Sequence, residues 1–81
     1  MPLNLYPNIR ASGSVPNDWQ PSRGNTDKFP VYNKTLLRYL RQLLRGKWQK
    51  VLKYGNNGEV HYFEHDSGDV AGVKFFPHGD S

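Results

Sequence analysis

Two histidines and a lysine in the last third of the chain, His61, His65 and Lys74, have side chains suited to acid–base chemistry on a phosphodiester. Histidine titrates near neutrality, so it can take a proton from one oxygen and give one to another. Cations hold a phosphate as charge builds up on it. Cleavage beside a ribose hydroxyl, without a metal, needs these parts: a base for the 2′-hydroxyl, an acid for the departing 5′-oxygen, and cations. His61 and His65 stand four positions apart in EVHYFEH. In a straight strand such positions share a face about 13 Å apart. The two therefore cannot grip one phosphate, or one metal ion, together, and each is a candidate singly. The catalytic candidates are His61, Lys74 and His65. Arg41, Arg45, Lys47, Lys50 and Lys53 can hold phosphate, and Tyr62 or Tyr54 can stack a base. The plain alternatives are Lys74 paired with Glu64 or Asp66, and histidines that are ordinary sheet residues. His78 falls in a tail.

These residues need elements to position them. The stretch NKTLLRYLRQLLRGKWQKVLK, from Asn33 to Lys53, is central. Leu36, Leu37, Leu40, Leu43 and Leu44 recur at spacings of three and four, which predicts one face of a helix from Lys34 to Arg45. Asn33 suits its N-cap and Gly46 its end. Arg38, Arg41 and Arg45 fall on another side. Three strands follow, at Lys47–Tyr54, Glu59–His65 and Val70–Phe76, separated by GNNG and DSGD turns. Asn57-Gly58 favours a mirror-image hairpin turn. In the last strand, alternation sets Ala71, Val73 and Phe75 against Val70, Gly72, Lys74 and Phe76. The fold class is α+β: one or two helices packed on a small twisted antiparallel sheet of three to four strands. Residues 1–30 read as an irregular, proline-rich arm or linker, and residues 31–81 as the compact domain. Within the arm, Trp19 either pins its loop to the core or meets a ligand, and pinning is the expectation.

At 81 residues the chain makes one domain at most. A chain this short buries only about 60% of its extended surface. With no cysteine, disulfides, thiolate metal sites and cysteine nucleophiles are excluded. No compact zinc or calcium motif is present, and no metal or cofactor is expected. No apolar run approaches the roughly 20 residues of a membrane-spanning helix. The net charge of +4 is unevenly spread. Residues 34–53 hold seven basic and no acidic groups; residues 54–81 hold Lys74 against five carboxylates. A basic block of this kind suits a phosphate backbone or an acidic protein partner.

The segment GKWQKVLKYGNNGEVHYFEHDSGDVAGVKF resembles the carboxy-terminal toxin domains of bacterial contact-dependent inhibition proteins and related colicin-like RNases. The shared pieces are Trp48 with Lys50, the Asn57-Gly58 turn, His61-Tyr62-Phe63, the Ser67-Gly68 turn and Val73-Lys74. They cover the last third to half of the chain. The sheet of that group has four or more strands, where the sequence marks three. The resemblance implies cleavage of RNA, often tRNA, without a metal, and neutralisation by an acidic immunity protein. It makes His61 and Lys74 the first residues to test. It also implies delivery as part of a larger secreted protein, with action in the target-cell cytoplasm and the proline-rich arm as the junction. The rival reading is a non-enzymatic module that binds nucleic acid or an acidic protein through its basic helix.

Overall fold

The computed structural model describes residues 3–78. Four strands form one antiparallel sheet in sequential order: β1 (Pro21–Pro30), β2 (Trp48–Gly55), β3 (Gly58–His65) and β4 (Val70–Pro77). One helix, α1 (Lys34–Leu43), lies between β1 and β2 in the chain. The architecture is thus α+β, with one α-helix among the described residues on a meander. Outside β4, Tyr6 makes one isolated bridge: its N–H donates to the Val70 carbonyl at 2.9 Å, and the Val70 N–H donates back at 2.8 Å. Among the described residues no helix is long and apolar enough to cross a membrane.

The irregular arm expected over residues 1–30 ends earlier than that. Residues 21–30 are β1, paired to β2 from Thr26↔Lys53 to Pro30↔Gln49. Pairing is broken between Pro21 and Thr26, where the register shifts. Proline is tolerated here because β1 is an edge strand, with Pro21 and Pro30 at its two ends.

The sheet has two faces. On one, Val51, Val60, Tyr62 and Val70 pack against Val15 and Trp19, with Tyr6 and Ile9 alongside. Trp19 is only 1% exposed, and its Nε1 donates to the Gly58 carbonyl at 3.0 Å. Trp19 thus pins the amino-terminal segment, as expected. Arg10 clamps it from outside: its guanidinium donates to the Trp19 carbonyl and stands 5.6 Å from the indole centroid. The same docking overrides the turn expected at Asn57-Gly58. Asn56 accepts from Gln20 N–H at 2.7 Å and donates to the Asp18 carbonyl at 3.1 Å. Asn56 and Asn57 bridge β2 to β3, and no described non-glycine residue has a positive φ, so the mirror-image turn does not form.

On the other face α1 lays Leu36, Leu37, Leu40 and Leu43 over Trp48, Phe63 and Ala71. Leu40 is fully buried. The N-cap is as expected, with Asn33 Oδ1 accepting from the Leu36 N–H at 3.1 Å. The C-terminus is not. The helix ends at Leu43, and Leu44 is already extended. Side chains hold the chain just past it. Trp48 Nε1 donates to the Leu44 carbonyl at 2.9 Å, and Arg41 Nε donates to the Gly46 carbonyl at 3.2 Å.

β4 also departs from simple alternation. His61 pairs with Lys74 but Phe63 pairs with Ala71, so β4 carries one extra residue between them. Gly72, at φ +62°, takes the left-handed conformation inside this bulge. The insertion flips the residues before it. Ala71 therefore joins the face of Lys74 and Phe76, and Val70 joins that of Val73 and Phe75.

Candidate active site

β3 and its neighbours set the site on the helix-bearing face, beyond the end that α1 covers. β3 alternates tightly here: Val60 and Tyr62 are buried on the Trp19 face, while Glu59, His61 and Phe63 point the other way. Across the sheet, His61 stands opposite Leu52 on β2 and Lys74 on β4. Side chains directly opposite on one face have Cβ atoms about 5 Å apart. Lys50, opposite Phe63, is the diagonal neighbour of His61. Lys50, His61, Phe63, Lys74 and Phe76 line one cleft of about 180 Å³. Among the described residues neither lysine forms an ion pair. Glu64, a candidate partner for Lys74, is on the opposite face and pairs with Lys28 at 3.3 Å.

His61 is held loosely. Its ring packs on Phe76 with centroids 4.5 Å apart. Its Nε2 is shielded from solvent and has no hydrogen-bond partner. Glu59 Oε1 stands 3.7 Å from it, too long for a hydrogen bond and an ion pair once the ring is protonated. A shielded imidazole nitrogen without a partner is rare in a folded protein and calls for an explanation, of which a catalytic role is one. Glu59 was not among the sequence candidates. Period-two alternation does put it on the face of His61, two residues away. Tyr54, opposite Glu59, donates to Asp27 Oδ2 at 3.1 Å. That bond, with burial and the charges of Asp27 and Glu59, raises the Tyr54 pKa above its usual value.

His65 is engaged elsewhere. The Ser67 N–H donates to Nδ1 at 3.0 Å, so Nδ1 is the acceptor and Nε2 carries the proton. Nε2 then donates to the Arg45 carbonyl at 2.7 Å. The ring also meets Trp48 edge-on at 5.2 Å. Gly46 is what allows this approach: it has φ +129°, and a Cβ there would stand 2.6 Å from His65 Nε2. Both nitrogens serve to tie the end of the helix to the β3–β4 turn, so the expectation of a catalytic His65 gives way to a structural role.

The other candidates divide. Lys50 joins the His61 cleft. Lys53 lies on the opposite face, paired with Val60, and is separated from His61 by the sheet. Tyr62 is 4% exposed in the core, where burial and then Glu64 push its pKa up to about 12. It cannot stack a base, because alternation turns it inward. Tyr54 is half-buried, so neither expected platform is an open ring; Phe29, Tyr32 and Phe76 are the exposed ones near this face. Arg41 and Lys47 line a different groove with Gln49 and Asp66, and Arg45 is exposed just past the helix. Among the described residues no three His, Asp or Glu side chains gather in a way that could hold a metal ion. No family model, curated protein or solved structure matches this chain.

Proposed function

We propose that this domain is a ribonuclease of the toxin type, cleaving RNA, tRNA included, by acid–base chemistry that uses no metal. The observation that carries the reading is His61, with Nε2 unsatisfied, facing Lys74 across β3–β4 with Glu59 at 3.7 Å. One carboxylate and one imidazole suffice for both proton transfers once the entering phosphate has parted them, because in-line attack sets base and acid on opposite sides of phosphorus. Glu59 takes the proton of the 2′-hydroxyl as its oxygen attacks phosphorus. The bond from phosphorus to the 5′-oxygen breaks, and protonated His61 supplies that oxygen with a proton. The products are a 2′,3′-cyclic phosphate and a 5′-hydroxyl. Lys74 and Lys50 hold the phosphate oxygens as charge grows on them. The domain is delivered within a larger secreted protein, acts in the target-cell cytoplasm, and is neutralised by an acidic immunity protein over its basic surface.

The rival reading is binding without catalysis, and it draws on exposed Lys34, Arg38 and Arg41 along one side of α1. One experiment separates the two: total bacterial RNA incubated in EDTA with the wild type and with His61→Ala. Discrete fragments ending in cyclic phosphate, from the wild type alone, are expected. Intact RNA with both folded proteins transfers the argument to the binding module.

A further inference from the structure

A second groove adjoins the His61 cleft. It has a volume of about 400 Å³ and runs between the β1–α1 connection and the sheet. Phe29, Tyr32, Leu36 and Phe63 give it an apolar lining, and no acidic residue lines it. Lys50 and Phe63 line both this groove and the His61 cleft, so the two are continuous. Two of its rings are unusually open for a small domain: Tyr32 is 80% exposed and Phe29 42%. Tyr32 contributes almost nothing to the core, and Phe29 sits on an edge strand directly opposite Lys50. Flat aromatic faces beside a lysine are what single-stranded nucleic acid uses: the ring stacks a base and the cation meets the adjoining phosphate.

Resting on the ribonuclease reading, we infer that this groove binds a nucleobase of single-stranded RNA next to the phosphate held at Lys50 and Lys74. The base enters between Tyr32 and Phe29, and the backbone crosses Lys50 into the His61 cleft. The site recognises unpaired RNA, because a base inside a duplex cannot present its face to a ring. It is tolerant of base identity, since every base has a stacking face.

The test measures binding, so it does not depend on cleavage. The full chain carrying His61→Gln is titrated, by fluorescence anisotropy, with labelled uridine and adenosine decanucleotides. An abasic phosphodiester decamer of the same length serves as the comparison ligand. Adding Phe29→Ala and Tyr32→Ala is expected to weaken the base-bearing strands by about tenfold or more, with little change for the abasic one. Tyr32→Trp, which keeps a ring, is expected to retain the affinity. Equal weakening of all ligands, or unchanged affinity for the base-bearing strands, overturns the nucleobase groove and leaves the ribonuclease reading standing. Failure of the His61→Gln protein to bind either kind of strand overturns both.

Discussion

The two faces of this sheet are closed in different ways. The Trp19 face is sealed by an irregular segment that follows the sheet's contours. Val15 and Trp19 fill it, and the one indole N–H has its acceptor. The other face is covered by a helix of ten residues, about 15 Å long. Strands of eight residues run about 26 Å. A rigid, short helix leaves the far end of such a face open, and that end carries Lys50, His61, Lys74 and Phe76. An irregular cover can follow the surface it meets, whereas a helix buries only one stripe. The difference shows how a small domain can hold firm cores and an unsatisfied imidazole a few ångströms apart: one core fills the sealed face, a second lies under α1, and the His61 cleft lies beyond the helix.

The sealed face is most vulnerable at Trp19. Trp19→Ala removes the largest buried side chain and its hydrogen bond, at about 3–5 kcal/mol. Urea unfolding is expected to show a midpoint sharply lowered, or no cooperative transition. Gly55→Ala tests the same seat from below, because a Cβ there would collide with the Trp19 indole. On the open face the large effect is on rate. His61→Gln is expected to reduce RNA cleavage by about 10²–10⁴-fold with the urea midpoint nearly unchanged. A large stability loss in that variant would mean that His61 is a packing residue.

His65 sharpens the contrast within one strand. His65→Ala removes the tie between the Arg45 carbonyl and Ser67 N–H. A loss of about 1–2 kcal/mol is expected, with cleavage per folded molecule intact. Cleavage abolished in a fully folded His65→Ala protein would restore this residue to the catalytic set.

The last effect is confined to high pH. Folded Tyr62 keeps its proton up to about pH 12, whereas an unfolded tyrosine releases it near 10. The unfolded state therefore binds fewer protons in that window, and stability falls as pH rises through it, by at most about 1.4 kcal/mol per pH unit. Tyr62→Phe is expected to flatten this decline in melting temperature above pH 10, while stability below pH 10 changes little.

Much of the fold was legible in the chain itself. The leucine spacing marked the helix and the face it turns to the sheet, and Asn33 marked its start to the residue. Alternation between glycine-rich turns located β2, β3 and β4 within a residue or so of their ends. These are local signals: period, cap and turn are set by residues a few positions apart. The pairing of His61 with Lys74 was legible in part, since a meander brings consecutive strands side by side.

The remaining features came from contacts distant in sequence. β1 carried no signal, because as an edge strand it buries little, and PSRGNTDKFP has no alternation to read. Its pairing is supplied by β2. The bulge at Gly72 reversed the faces of Val70 and Ala71, since one inserted residue shifts a period of two by half. The end of α1 was fixed by Trp48 and Arg41, and the carbonyl just beyond it by His65, rather than by Gly46 alone. The partner of His61, Glu59, lay two residues away on the same face, yet its meaning depended on an unsatisfied nitrogen that no sequence displays. Whether a side chain meets a partner is a property of the packed molecule.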